Sequence, residues 1–222
     1  MTIIYHDNII QGSEEWHAMR CGLLTASEMK LIITPTLKIA SNEKERQHLY
    51  ELAAQRITKY VEPHYISDDM LRGHDNEILA RAKYAEKYAP IKEVGFITNN
   101  KWGFTLGYSP DGLVGDDGQI EAKSRRQKYQ VEAIVSNEVD TDFVIQLQSG
   151  LVTSERKWVD FISYHGGMPM FVKRVYPDVK IQMAILEASA AFHDRLKVVM
   201  ERYEFAATKF FPTERVIEEE MI

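Results

Sequence analysis

The sequence contains a single cysteine, Cys21, and only seven prolines among its 222 residues. One cysteine excludes an internal disulfide framework, and it excludes a zinc or iron–sulfur site built from several cysteines of one chain. No stretch approaches the run of about 18 apolar residues that suggests a membrane-spanning helix, so no membrane association is expected. Residues 1–8 lack the basic-then-apolar pattern of a secretion signal, which favours a cytoplasmic protein.

Positive charge is in the minority, because 27 Lys and Arg face 33 Asp and Glu, a formal net charge of −6. This balance disfavours a protein that coats nucleic acid by bulk charge, but it does not exclude a local basic groove. Residues 121–130 carry a net charge of +3, which leaves −9 for the rest of the chain. The cations of this segment are candidates for a track along a phosphate backbone, with a solvated charged turn as the alternative. They are Lys123, Arg125, Arg126 and Lys128.

The order of predicted elements indicates an α/β fold. Helical patterns with capping signals begin near Ser13, Thr25, Ser41 and Asp68, and short strand candidates separated by Gly, Asn and Asp follow from residue 95. A helix over 140–152, two further strands and a long C-terminal helix complete the chain. We therefore expect one domain over 1–222 with a mixed central β-sheet flanked by helices. Its core spans about 12–176, and its C-terminal helix spans about 178–210.

Three Glu-x-Lys tripeptides occur, beginning at Glu28, Glu121 and Glu155, where about one is expected by chance. Glu28 falls in a predicted helix without a suitable acidic partner, and Glu155 follows the end of a predicted helix. The tripeptide at Glu121 lies in a predicted strand, and Asp111 precedes it by ten residues. This tripeptide is therefore the candidate site.

A turn signal at residues 116–118 predicts a hairpin that brings Asp111 alongside this strand. Strand alternation places Glu121 and Lys123 on one face. A three-residue loop over 116–118, with Gly118 left-handed, would put Asp111 opposite Lys123 and on the same face. A two-residue loop would put Asp111 on the wrong face, so we expect the three-residue loop or a bulge.

Asp111 and Glu121 together suit a hard divalent cation such as Mg²⁺, and the backbone carbonyl of Ala122 could add a ligand. Lys123 cannot bind the cation, but it can hold or deprotonate an attacking water. These residue types predict metal-dependent hydrolysis of a phosphodiester. We expect two Mg²⁺ ions per site, for which Mn²⁺ could substitute. An ordinary surface salt bridge is the alternative. Trp16 is interpreted as a packing residue.

Residues 12–28 are similar to the N-terminal signature of the phage lambda exonuclease family, the YqaJ-like viral recombinases of the PD-(D/E)xK nuclease superfamily. That signature contains Trp-His, then Arg, Gly and a Thr-Ala-Ser turn. Three further motifs follow in the family's order and spacing, and the resemblance extends to about residue 164. They are Tyr108–Gly112, Glu121–Lys123 and Gln146–Gln148.

The resemblance implies a restriction-endonuclease-like core and a role for each matching residue. Asp111 and Glu121 would bind the metals, and Glu77 would be a further acidic catalytic residue. Arg20, Ser27 and Gln146 would bind the 5′-terminal phosphate, which suits a bidentate guanidinium and two neutral donors.

The resemblance also implies a Mg²⁺-dependent 5′-to-3′ exonuclease that acts on double-stranded DNA ends in the cytoplasm of a bacterial host. It would release mononucleotides and leave 3′ overhangs for recombination, as a homotrimer with a single-strand annealing protein as partner. Two alternatives stay open. One is an endonuclease or repair nuclease of the same superfamily, and the other is a non-catalytic module that binds DNA ends.

Overall fold

Helices and short strands alternate along the computed structural model, which describes residues 2–63 and 68–215. Residues 1, 64–67 and 216–222 of the predicted domain lie outside these ranges. The helices are α1 (Glu14–Arg20), α2 (Met29–Ile32), α3 (Glu43–Thr58), α4 (Asp68–Lys87), α5 (Gln127–Ser136), α6 (Thr141–Ser154) and α7 (Val179–Ala207). The strands are β1 (Ile3–His6), β2 (Leu24–Thr25), β3 (Phe96–Asn99), β4 (Leu106–Tyr108), β5 (Gly112–Val114), β6 (Gly118–Ser124), β7 (Trp158–Tyr164) and β8 (Phe171–Val175).

Side-chain caps begin several helices close to where the sequence predicts them. Ser13 Oγ accepts a hydrogen bond of 3.2 Å from a backbone N–H in the first turn of α1. Asn42, Asp140 and Asp178 cap α3, α6 and α7 in the same way. Each cap satisfies a backbone donor that has no partner within the helix. Helix α5 has no such side-chain bond at its start, and no capping signal in the sequence predicts it.

The strands form two four-stranded sheets of mixed direction, ordered β1-β3-β4-β2 and β5-β6-β7-β8. The pairs β2–β4 and β6–β7 are parallel, and the other pairs are antiparallel. The predicted α/β class with mixed strands and flanking helices is confirmed, but two sheets take the place of one. The chain crosses between them at residues 109–111, referred to below as the seam. Pro110 lies in the seam and has no N–H with which to continue a strand ladder.

Strand β6 is covered on both faces. Ile120 and Ala122 pack against Ala80 and Tyr84 of α4, while the opposite face of β6 contacts α6 through Glu121. Helix α7 packs against α2 and α3 through an apolar row that is fully buried. This row is Ile185, Ala188, Phe192 and Leu196. Within the described ranges, no helix combines the length and apolar character needed to cross a bilayer.

The β5–β6 hairpin has a three-residue loop, 115–117, in which Gly115 is left-handed with a φ of 52°. Gly112 pairs with Ile120, so the next step of the register puts Asp111 opposite Glu121. The prediction of a three-residue loop is confirmed, but its position was wrong by one residue. The register therefore differs by two residues from the predicted one. Because side chains alternate with a period of two, Asp111 still shares a face with Glu121.

Close packing explains why the loop does not include Gly118. A Cβ atom at Gly118 would lie 2.0 Å from the ring of Trp158 in β7. The glycine therefore belongs to the strand, where it allows Trp158 to approach the backbone. The left-handed position falls to Gly115, which the sequence places at the other end of the turn.

A buried polar network ties α4 to the second sheet. Asp160 of β7 is 3% exposed and accepts a hydrogen bond of 2.6 Å from Tyr84 Oη. It also accepts bonds of 2.8 and 2.9 Å from Nε and Nη2 of Arg174 in β8. Burial and the adjacent Asp160 raise the pKa of the Tyr84 hydroxyl, which therefore stays protonated and donates. The network fixes α4, the helix that carries Glu77, against the sheet that carries Glu121.

Candidate active site

The two predicted carboxylates converge at the seam. Asp111 lies where the chain leaves the seam, and its Oδ2 accepts a hydrogen bond of 2.6 Å from the backbone N–H of Ala122. Its own backbone N–H donates to the carbonyl of Ile120 at 3.2 Å. These two bonds hold Asp111 against β6, so its position is determined by backbone geometry.

Glu121 is the most heavily bonded side chain of the site and is only 3% exposed. Lys123 Nζ and Gln146 Nε2 donate to its Oε1 at 2.7 and 2.5 Å, and Tyr108 Oη donates to its Oε2 at 3.1 Å. A buried carboxylate with partners on both oxygens has one defined orientation. The convergence of Asp111, Glu121 and Lys123 on one pocket follows the geometry expected of them.

The electrostatics of the site favour a bound cation. Burial and the neighbouring Glu121 raise the pKa of Asp111 to about 8, with Glu77 adding to the effect, although Lys123 and the Ala122 N–H oppose it. Burial disfavours the charged form of Lys123, but Glu121 and Asp111 outweigh it and raise the pKa of its ammonium. The ammonium of Lys123 therefore does not neutralise the negative charge of Asp111, Glu121 and Glu77. A bound divalent cation would neutralise the remaining charge.

The donor set suits Mg²⁺, or Mn²⁺ in its place, better than a metal that prefers sulfur or imidazole ligands. Asp111, Glu121 and the Ala122 carbonyl are hard oxygen donors, and Mg²⁺ is usually held by one or two carboxylates with water and phosphate completing the shell. Within residues 2–63 and 68–215, no group of three or more His, Cys, Asp or Glu side chains is arranged to hold a metal ion. Two carboxylates and one carbonyl would leave much of the shell of a bound cation open to water and phosphate.

The residues expected at the 5′-phosphate lie in the same pocket, which has a volume of about 190 Å³. The guanidinium of Arg20 stacks over Trp16 at 4.3 Å and donates to Thr25 Oγ1 at 3.5 Å. Ser27 is exposed, and its Oγ lies 3.1 Å from the same Thr25 oxygen. The residues of both groups that line the pocket are Arg20, Ser27, Glu77, Asp111, Glu121, Lys123 and Gln146.

Gln146 occupies the boundary between the two groups. Its amide donates to Glu121, so in this structure it contacts a predicted metal ligand rather than Arg20 or Ser27. Gln146 lines the same pocket as Arg20 and Ser27, so it lies near the predicted phosphate-binding residues while it bonds to a predicted metal ligand. Sequence spacing alone could not identify this bond.

The predicted basic track is shorter than its sequence suggests. Arg125 Nη2 forms an ion pair of 2.7 Å with Asp140, and its side chain is only 12% exposed. Its guanidinium also stacks over Phe143 at 5.0 Å. The side chain of Arg125 is therefore already paired within the protein and mostly covered. Arg126 and Lys128 are the exposed cations of the segment. The prediction of backbone contacts now depends on those two residues.

Several pocket residues were not predicted from the sequence. Trp16 is not only a packing residue, because it lines the pocket and its Nε1 donates to Ser109 Oγ at 2.9 Å. Gln11 donates to the backbone carbonyls of Val94 and Pro110 at 3.1 and 2.8 Å, which anchors the seam. The available signal in the sequence was position, because Trp16 lies within the motif at residues 12–28 and Gln11 directly precedes it.

The fold consists of mixed sheets flanked by helices. Two carboxylates and a lysine lie on a hairpin at the junction of these sheets, and together with the fold they define a protein of the nuclease class. A sequence profile described as the YqaJ-like viral recombinase domain matches residues 15–157. The chain belongs to this family. Comparison with curated protein sequences gives no match.

Solved structures show the same fold. The chain is similar to an alkaline exonuclease (LHK-Exo) from Laribacter hongkongensis, with 31% identity, a TM-score of 0.79 and coverage of 89% of this chain and 99% of that one. The structure of LHK-Exo in complex with dAMP matches with the same values. A phage related exonuclease from Haemophilus somnus 129PT has 14% identity, a TM-score of 0.55 and coverage of 80% and 96%, which shows a shared fold only.

Proposed function

We propose that the protein is a Mg²⁺-dependent 5′-to-3′ exonuclease on double-stranded DNA that releases mononucleotides and leaves 3′ overhangs. The observation that carries this proposal is the shared pocket, in which Asp111, Glu121 and Lys123 lie beside Arg20 and Ser27. A phosphate site next to a hydrolytic site places the scissile bond at a fixed distance from the strand end. Cleavage then removes a unit of fixed size, which is exonucleolytic action.

The relatives support the same reading. LHK-Exo is an alkaline exonuclease, and its complex with dAMP holds a deoxynucleoside monophosphate, the kind of product that this reaction would release. The family resemblance further supports a cytoplasmic homotrimer that supplies 3′ overhangs to a single-strand annealing protein.

In the proposed mechanism, Asp111, Glu121 and the Ala122 carbonyl would hold two Mg²⁺ ions, which would supply charge stabilisation and activate a water. Lys123 would hold the attacking water by a hydrogen bond and offset phosphate charge. In the metal-free protein Glu121 and Asp111 raise the pKa of Lys123, so its side chain is an ammonium there and can donate a hydrogen bond to a water. Arg20 and Ser27 bind the terminal phosphate, and Glu77 adds negative charge near the cations.

Digestion of a 5′-phosphorylated linear duplex, with and without Mg²⁺ and beside a covalently closed circle, tests this function. We expect mononucleotide release from the linear duplex only in Mg²⁺, and an intact circle. Opening of the circle would favour an endonuclease of the same superfamily. Tight binding to ends without turnover would favour the non-catalytic end-binding module.

Arg20→Ala is expected to reduce the preference for 5′-phosphorylated over 5′-hydroxyl ends about tenfold or more, because a charge-assisted pair is worth about 1.5–3 kcal/mol. The measurement compares kcat/KM on the two substrates. Arg46→Ala is the control, because Arg46 forms an exposed ion pair with Glu43 away from the pocket. An unchanged ratio in Arg20→Ala would contradict the assignment of the phosphate site.

Mg²⁺ binding is expected to strengthen as pH rises to about 8, because Asp111 must lose the proton that its pKa of about 8 retains at lower pH. Each pH unit below that value should raise the half-saturating Mg²⁺ concentration up to about tenfold. In metal-free protein the same raised pKa lowers stability as pH rises from about 4, the ordinary range of Asp, towards 8. Metal-induced melting shifts at pH 6.5, 8 and 9 provide the measurement, and a pH-independent half-saturation would contradict it.

A further inference from the structure

Glu28 lies directly behind the phosphate-site residues and does not itself line the pocket. Its Oε2 accepts two hydrogen bonds from Thr25, one of 3.1 Å from the backbone N–H and one of 2.6 Å from Oγ1. The backbone N–H of Glu28 donates in return to the Thr25 carbonyl at 3.1 Å. These three bonds close the turn over residues 25–28 into one rigid unit. Thr25 itself is only 2% exposed.

These bonds fix the direction of the hydrogen bonds inside the pocket. A carboxylate only accepts hydrogen bonds, so the Thr25 hydroxyl must donate its hydrogen bond to Glu28. Thr25 Oγ1 is then available only as an acceptor, and the two donors within reach are Arg20 Nη2 at 3.5 Å and Ser27 Oγ at 3.1 Å. Glu28 thereby determines where both phosphate-site donors are held when they are not bonded to a phosphate.

Glu28 is also joined to the protein core. His48 of α3 is 2% exposed and stacks with Phe192 of α7 at 5.7 Å. Its Nε2 has no hydrogen-bond partner in the described part of the chain and lies 4.0 Å from Glu28 Oε2. Burial lowers the pKa of Arg20, and the Glu28 charge opposes that shift, so the carboxylate also acts on the guanidinium. Glu28 is the N-cap residue of α2, but its side chain makes no hydrogen bond to that helix, so its carboxylate serves Thr25 rather than the helix end.

We propose that Glu28 is a positioning residue for recognition of a 5′-terminal phosphate, acting through Thr25 on Arg20 and Ser27. This proposal rests on the proposed function, because it assumes that these two residues bind the phosphate. The capping signal in the sequence pairs Glu28 with Thr25, and the proposal adds that this pair positions the residues that bind the phosphate.

Binding in the presence of EDTA isolates this role from catalysis. The dissociation constants of duplexes with 5′-phosphate and 5′-hydroxyl ends are measured by fluorescence anisotropy, and their ratio is the readout. Glu28→Ala is expected to lower the ratio about tenfold, the effect of losing about 1.4 kcal/mol of recognition. Glu28→Gln is expected to keep it within about threefold, because the amide oxygen can accept both Thr25 bonds. Glu43→Gln, which removes an exposed carboxylate elsewhere, should leave it unchanged.

Thr25→Val provides a second route if Glu28→Ala unfolds, because it removes the hydroxyl that links Glu28 to the pocket and keeps a strand-forming side chain in β2. It should lower the ratio as Glu28→Ala does. A wild-type ratio in Glu28→Ala or Thr25→Val would overturn the proposal, and so would an equal loss in Glu28→Gln and Glu28→Ala. No preference in the wild-type protein would instead contradict the phosphate site of the proposed function.

Discussion

Lys123→Ala and Asp111→Asn are each expected to slow hydrolysis of a linear duplex by at least about a thousandfold. Lys123 is the ammonium that would hold the attacking water, and Asp111 would be a ligand of the metal that activates it. Among the described residues, Lys123 is the one cation bonded to Glu121, so no neighbouring cation takes its place. The initial rate of nucleotide release in Mg²⁺ is the measurement.

The melting temperature distinguishes loss of chemistry from loss of folding. Metal-free Asp111→Asn is expected to melt several degrees higher than wild type at pH 8. In the wild-type protein a carboxylate at this buried position repels Glu121 when it ionises, whereas the amide of Asn stays uncharged. Lys157→Ala and Asp117→Asn are matched controls, because this 2.9 Å pair is 73% and 51% exposed. Asp117 lies in the loop of the β5–β6 hairpin, and Lys157 directly precedes β7. Near-normal digestion by Lys123→Ala or Asp111→Asn would sink the mechanism.

Asp160→Ala is expected to lower the free energy of unfolding by about 3 kcal/mol. The substitution leaves the Tyr84 hydroxyl buried without its acceptor and removes both hydrogen bonds to Arg174. Breaking a buried charge network by removing one partner costs about 3–5 kcal/mol, and the partial exposure of Arg174 favours the lower end. Urea unfolding monitored by circular dichroism gives the value.

Tyr84→Phe separates the two parts of this network. It removes one donor and leaves the ion pair between Asp160 and Arg174, so a loss of about 1 kcal/mol is expected. If Asp160→Ala costs no more than Tyr84→Phe, the ion pair contributes nothing and the network does not hold α4 in place. Asp117→Ala, at an exposed ion pair, serves as the control for a lost carboxylate.

The sequence was most informative where local rules determine the structure. Capping residues such as Ser13 and Asn42 predicted where helices begin, because each satisfies its own helix end. Strand alternation predicted the shared face of Asp111 and Glu121 even though the loop position was wrong by one residue. The error itself had a tertiary cause, the ring of Trp158 against Gly118, which no local pattern contains.

The sequence was less informative about which of several possible partners each polar side chain of the site bonds to. Arg125 was expected to face DNA, and it pairs with Asp140 because α6 begins beside it. Glu28 was set aside because it has no acidic partner in sequence, yet it accepts two bonds behind the pocket. Such choices depend on which elements meet in space. Residue types and spacing indicated the chemistry, and the tertiary structure determined which side chains support it.

The seam at residues 109–111 sets the distance between the proposed phosphate site and the proposed metal site. Thr25 belongs to the first sheet and Glu121 to the second, so the step between end recognition and cleavage is set by how the two sheets join. Product length is then a property of the junction rather than of either group of residues. An insertion at the seam would displace Asp111 from β6, so the length of this junction is itself part of the proposed site.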